Sequence, residues 1–235
     1  MRIRKKRWAQ PELDKCPYYI PNADDYRGKW HSVFEHPERP LYMEVGCGKG
    51  MFVAQAALRY PEINFVALDI KNDMLGVARR TIERLFSEEG RIPDNIRIVS
   101  DNISFVSKAF SEEDIVDRIY INFCNPWTRP KHHKRRLTHP RQLVQYRTFL
   151  KDGGEIRFKT DDDELFEQSV PYFEENGFEI TYITRDLHSS GFSENFVTEH
   201  EKMFTEEGKT IKFLIAVKKH SETDNGNIVS EDNLE

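Results

Sequence analysis

The chain has 235 residues, 38% of them apolar and 32% charged, with a formal charge of −5. That balance excludes a disordered or fibrous chain, and no apolar run approaches the ~20 residues needed to span a bilayer. The length suits one open-sheet α/β domain.

Cys16, Cys47 and Cys124 are odd in number, far apart and without metal-ligand spacing. The expectation is reduced thiols, no disulfide framework and no metal. The N-terminus is basic but has no apolar signal core, which points to a cytoplasmic protein. Charge is unevenly spread. Residues 221–235 hold Glu222, Asp224, Glu231, Asp232 and Glu235 and no cation, so 1–220 is formally neutral (−5 minus −5). Inside this neutral body cations bunch at two places, a distribution that favours a nucleic-acid partner.

The first bunch is Arg-Ile-Arg-Lys-Lys-Arg at 2–7, followed by Trp8. No helical or strand pattern holds it, and it reads as a mobile arm meeting phosphate or as a solvated basic tail. Residues 10–40 carry Pro11, Pro17, Pro21, Pro37 and Pro40. They predict an irregular wrap with a short helix near 26–34, and His31 and His36 at the surface.

An α/β alternation starts at strand 41–45 and enters a loop with Gly46, Gly48 and Gly50 at alternate positions, then helix 50–59. Glycine permits a tight turn and close approach of a ligand to the backbone, and the helix start offers unpaired N–H groups. Glu44 at the strand end would repel a pyrophosphate but suits a cation. Strand 63–69 ends in Asp69, about 20 residues on, placed for ribose hydroxyls. An adenosine with a positive or zwitterionic tail satisfies both acids, and S-adenosylmethionine has those features. A nicotinamide fingerprint has two residues between its second and third glycines, where this loop has one.

A helix over 72–86 follows, with Met74, Leu75, Ala78, Ile82 and Leu85 at helical spacing. Strand 95–99 leads to Asp101 and Asn102, suited to an adenine amino group; Asp101 also suits the N-cap of a helix over 103–110. Strand 118–124 leads into Asn125-Pro-Trp-Thr-Arg-Pro-Lys-His-His-Lys-Arg-Arg. Arg129, Lys131, Lys134, Arg135 and Arg136 are expected to face solvent or an anion, with phosphate contact the natural use. Trp127 offers a stacking surface or a core contact. His132 and His133 are adjacent, which excludes an i, i+4 metal pair. Helix 139–150, strand 153–160, helix 162–175, strand 178–185, a helical piece near 198–206 and strand 211–218 complete the pattern. It predicts an α/β, Rossmann-like, mostly parallel seven-stranded sheet with an antiparallel closing strand, the ligand lying outside the carboxyl ends of the strands. The expected organisation is an arm and wrap over 1–40, a core domain over 41–218 and an acidic disordered tail over 219–235.

Taken together, Glu-Val-Gly-Cys-Gly-Lys-Gly at 44–50, the run from Phe123 through Thr-His-Pro at 138–140, Phe-Lys-Thr-Asp at 158–161 and Thr-Glu-His-Glu at 198–201 resemble the bacterial tRNA (guanine-N7)-methyltransferases. The resemblance covers nearly all of 1–218. It implies a class I S-adenosylmethionine-dependent methyltransferase that modifies the variable-loop guanine, position 46, of tRNA. It implies a donor site at Glu44, Asp69, Asp101, Asn102 and Asn125, with catalytic roles at Asn125 and Asp161. It implies RNA contact over Lys131, His132, His133, Lys134, Arg135 and Arg136, and guanine or substrate contacts at Arg129, at Asp161 and over Thr198, Glu199, His200 and Glu201. The family usually has Asp where this chain has Asn125, and often Pro-Lys where it has Thr128-Arg129. Guanine N7 carries no proton, so an amide at 125 is compatible with turnover. The competing readings are a nicotinamide oxidoreductase and a non-catalytic RNA-binding module. Oligomeric state is left open between monomer and homodimer.

Overall fold

The computed structural model describes residues 5–220. Most of the expected acidic tail and the first residues of the basic arm lie outside the described residues. The sheet is built from β1 (Tyr19–Ile20), β2 (Leu41–Val45), β3 (Asn64–Asp69), β4 (Ile96–Ser100), β5 (Val116–Asn122), β6 (Leu150–Thr160), β7 (Phe178–Thr184) and β8 (Lys212–Lys218). The helices are α1 (Ala9–Leu13), α2 (Met51–Arg59), α3 (Asn72–Glu88), α4 (Pro140–Phe149), α5 (Asp163–Glu175) and α6 (Glu199–Glu206). The strand order is β1-β4-β3-β2-β5-β6-β8-β7.

The central strands are parallel and buried on both faces, so they read as apolar runs such as Phe65 to Leu68. The order reverses between β2 and β5, and a ligand crevice belongs at such a reversal. The expected antiparallel strand is β8, which inserts between β6 and β7. Among the described residues the sheet has eight strands where seven were expected. The additional one, β1, comes from the wrap and pairs parallel with β4 through Tyr19–Ile98 and Ile20–Val99.

The wrap is more ordered than its prolines suggest. Helix α1 packs on α3 where Gly76 leaves room: a Cβ there would lie 2.6 Å from the Ala9 Cβ. The Trp8 ring lies under the Arg80 guanidinium, 3.6 Å from ring centroid to Cζ, and Glu12 pairs with Arg79 at 3.0 Å. Lys6 N donates to Asp73 Oδ1 at 2.7 Å, so the described end of the basic arm is tied to the start of α3. The helix expected over 26–34 is replaced by two 3₁₀ turns, Ala23–Tyr26 and Trp30–Val33. Their anchor is Trp30, fully buried, stacked on Phe110 at 4.5 Å and donating from Nε1 to Ala109 O. Buried Asp114 accepts from the backbone N–H groups of Gly28 and Trp30. Aromatic content, not helical periodicity, therefore organises this segment. Among the described residues no helix is long and apolar enough to cross a membrane.

Candidate active site

The glycine loop joins β2 to α2, and all three of its glycines have positive φ. Two of them are required for different reasons. At Gly50 a Cβ would sit 2.8 Å from the Ala78 Cβ, so glycine there lets α2 pack on α3. At Gly48, φ is +53° and a Cβ would meet nothing within 4 Å, so that backbone faces open space a ligand can enter. Gly48 N donates to Asp69 Oδ2 at 3.0 Å, which locks the loop to the end of β3.

Three carboxyl groups stand at the ends of adjacent strands. Glu44, 3% exposed, accepts from Asn122 Nδ2 at 3.1 Å through one oxygen, while Oε2 has no partner. Burial pushes its carboxyl up to about 8; the Asn122 hydrogen bond and the Lys159 ammonium pull it down, and Asp69 pushes it up. Asp69 is also raised by burial, against hydrogen bonds from the N–H groups of Lys71 and Gly48. Asp101 is raised by burial too; Oδ1 accepts from Asn102 N at 2.6 Å and buried Oδ2 has no partner. The expected N-cap role falls to Asn102, whose Oδ1 accepts from Ser104 N at 3.1 Å. The segment it caps is a 3₁₀ turn, Ile103–Lys108, shorter than the predicted helix. Asp101 is thereby left free for a ligand. Buried carboxylate oxygens without partners are costly, and a ligand with N–H, hydroxyl and cationic groups would relieve that cost. The donor set fits a nucleoside with a positively charged tail.

A cavity of about 150 Å³ lies over Gly46 and Gly48, with Glu44 and Asn122 on one side and Thr198, Glu199 and His200 on the other. A wider surface groove between Phe105 and Val144, about 560 Å³, has no carboxylate in its walls. Lys49 Nζ reaches from the glycine loop to Glu199 Oε2 at 2.8 Å across the small cavity.

Past β5 the backbone is strained: Phe123 and Trp127 have φ of +50° and +45°. Bulky residues in this region are uncommon and cluster at functional sites. Exposed Asn125 lies between them, and its Oδ1 accepts from Trp127 N at 3.0 Å. The basic stretch forms a 3₁₀ turn, Pro130–Arg135, that the sequence did not announce. Arg129, Lys131, Lys134 and Arg135 are exposed; His132 and His133 are half-buried. Arg135 lies over Trp127 at 5.1 Å and His132 stands beside the same ring, so Trp127 belongs to this cationic shelf and not to the core.

These cations were expected to stay unburied, facing solvent or an anion; Arg136 is buried, and the anion it faces is Glu164 of the chain itself. Arg136 is 1% exposed, donating from Nε to Pro126 O and pairing with Glu164 at 3.3 Å. It staples the 126–136 turn to α5. Thr198 caps α6, accepting from Glu201 N at 3.2 Å, and its side lines the cavity. Glu201 is fully buried on Lys159 at 2.6 Å, out of reach of a substrate in this arrangement. Asp161 is half-buried, with Oδ2 on Lys209 at 3.1 Å. Sequence reasoning missed Asn122, Lys159 and Lys49, whereas Glu199 and His200 fall within the 198–201 stretch for which the resemblance implies substrate contacts. β5 also carries Asp117 and Arg118, and β6 also carries Glu155 and Arg157, so strand composition alone does not single out Asn122 and Lys159. No local pattern links Lys49 to Glu199. Among the described residues, no three His, Cys, Asp or Glu side chains converge as a metal site.

A family model described as "Putative methyltransferase" matches residues 38–214. The chain is 56% identical to the tRNA (guanine-N(7)-)-methyltransferase of Clostridium beijerinckii over 93% of its own length and 99% of that protein. It is 53% identical to the enzyme of that name in Clostridium perfringens, over 93% of this chain and all of the other. Among solved structures, the 16S rRNA methyltransferase KamB superposes with a TM-score of 0.56 at 12% identity, covering 77% of this chain and 88% of that one. A 16S rRNA (adenine(1408)-N(1))-methyltransferase from Catenulisporales acidiphilia gives 0.52 at 15% identity, over 85% and 92%. Those two likenesses carry the fold alone. With near-complete coverage by relatives more than half identical, the chain belongs to the tRNA (guanine-N(7)-)-methyltransferase family.

Proposed function

We propose that this protein transfers the methyl group of S-adenosylmethionine to N7 of a tRNA guanine, the one at position 46 of the variable loop. The reaction would take place in the cytoplasm. The observation that carries the reading is the pair of partnerless buried carboxylate oxygens on Glu44 and Asp101, at the ends of β2 and β4, with Glu44 lining the cavity over the open backbone at Gly48.

Glu44 would hold the cationic amino-acid end of the donor, Asp69 the ribose hydroxyls and Asp101 with Asn102 the adenine. When bound, the donor supplies an electrophilic methyl carbon on sulfur. The protein's own task is positioning, because guanine N7 is a lone pair with no proton to remove. Arg129, Lys131, Lys134 and Arg135 would hold phosphates, and Trp127 would offer a face to a base. Asn125 Oδ1 has a second lone pair beyond the one given to Trp127 N, available to a base N–H. Asp161, near the end of β6, would offset positive charge arriving on the purine, moderated by Lys209. The body over 41–218 would act as the methyltransferase domain, with 1–40 wrapping it.

The test is mass spectrometry of nucleosides from unmodified tRNA incubated with methyl-labelled donor. One labelled 7-methylguanosine per tRNA, mapped to position 46, is expected. Label on another base or ring atom would overturn the assignment.

A further inference from the structure

Lys159 lies one residue from the end of β6 and is 3% exposed. Its ammonium has three protons and three acceptors: Glu201 Oε2 at 2.6 Å, Asn195 Oδ1 at 2.9 Å and Phe196 O at 3.0 Å. Glu201, wholly buried, accepts at its other oxygen from Asn195 Nδ2 at 2.6 Å and stands 3.1 Å from His188 Nε2. One buried cation therefore ties together His188, the 195–196 turn and α6. The residues immediately before Glu201, namely Thr198, Glu199 and His200, form a wall of the cavity over the glycine loop.

A charged pair this deep costs desolvation, and an apolar pair of similar volume would serve stability as well or better. Something besides stability favours the charge. The Lys159 ammonium also attracts Glu44, the acid on the opposite wall. Glu44 is faced by Asn122 from β5, Lys159 from β6, Asp69 from β3, and Cys47 and the Val53 backbone from the loop and α2. Lys49, Glu199 and His200 line the rest of the cavity, and Lys49 is paired with Glu199.

We propose that Lys159 is a positioning residue for donor binding, seating the α6 wall of the cavity through Glu201 and the 195–196 turn. Glu201 then acts from inside the fold and not on RNA. The inference rests on the donor being S-adenosylmethionine, and wild-type calorimetry with that compound tests this separately and first.

The variants are Lys159→Met, Glu201→Met and the double Lys159→Met/Glu201→Met, measured for Tm and for donor Kd by calorimetry on the full chain. Each single variant strands its partner's charge and lowers Tm. The double variant recovers Tm but binds donor about tenfold more weakly. A double variant with wild-type Tm and donor affinity within about twofold of wild type would make the pair purely structural and overturn the proposal. Asn195→Ala keeps the ion pair, so it folds even where the double variant does not. It removes the Asn195 bonds to Lys159 and Glu201, leaving Phe196 O to hold the 195–196 turn to Lys159, and donor Kd should rise by about threefold. An unchanged Kd in Asn195→Ala likewise overturns the proposal.

Discussion

Glu44 offers the sharpest test of the donor site. Its carboxyl is pushed up to about 8, so the free protein holds it largely neutral at physiological pH. A cationic donor requires the ionised form. With that value the ionised fraction is about 1% at pH 6 and about 9% at pH 7. Donor Kd should therefore fall by nearly tenfold over that single pH unit, about 1.4 kcal/mol of binding free energy. The window matters, because a free α-amino group titrates near 7.7–8.0 and below about pH 7 the donor's own charge is constant. Glu44→Gln keeps an acceptor for Asn122 and removes the titration. Calorimetry between pH 6 and pH 7 should show the steep slope in wild type and a flat, weaker affinity in the Gln variant. The same substitution should stabilise the unliganded fold. Glu44 holds its proton in the folded state at pH values where the unfolded chain, with a pKa of 4.5, has lost it. Wild-type stability therefore falls as pH rises from about 4.5 towards 8, and Glu44→Gln recovers a few kcal/mol at pH 8 but little at pH 5. Wild-type donor affinity that is level across pH 6–7 would refute both the titration and the role given to Glu44.

Other outcomes follow from the same geometry. Gly48→Ala should still fold, its Tm slightly lowered by the positive φ, and lose donor affinity by at least about tenfold, whereas Gly50→Ala should lower Tm further, because its Cβ also collides with Ala78. Replacing Lys131 and Lys134 together by Ala should flatten the salt dependence of RNA binding by about two counterions without changing Tm. Arg136→Met should do the opposite, lowering stability by about 1–2 kcal/mol as Pro126 O and Gln168 Oε1 lose their donor, half-exposed Glu164 adding little, with the salt slope intact. Asn125→Ala should reduce kcat by at least about tenfold while donor Kd stays within about twofold. Wild-type turnover in that variant would remove Asn125 from the chemistry.

Much of this site is local in sequence, and that part was readable. Glu44, the glycines, Asp69 and Asp101 each sit at a strand end, and parallel strand order brings strand ends together. What could not be read depends on partners far along the chain. Arg136 looks like one more cation in a basic run, and only Glu164 on α5 and the Pro126 carbonyl draw it inside. Glu201 looks like a surface acid on an amphipathic helix; Lys159, 42 residues earlier, explains its burial. The wrap was misjudged because proline spacing describes the backbone, whereas Trp30 on Phe110 and Ala9 on Gly76 are contacts across more than 60 residues. The eighth strand, two residues long, is too short for any periodicity to register.

The reversed insertion of β8 has a practical side. It carries the chain away from the carboxyl ends of the parallel strands, so Lys218 ends on Leu150 O and Lys219 on Gly177 O at the foot of the sheet, while Lys6 is tied to Asp73 just past the carboxyl end of β3. An affinity handle, fluorophore or surface tether fused after the last strand would start at the foot of the sheet, away from the candidate site, whereas the same graft ahead of Trp8 would start on the side of the sheet that carries it.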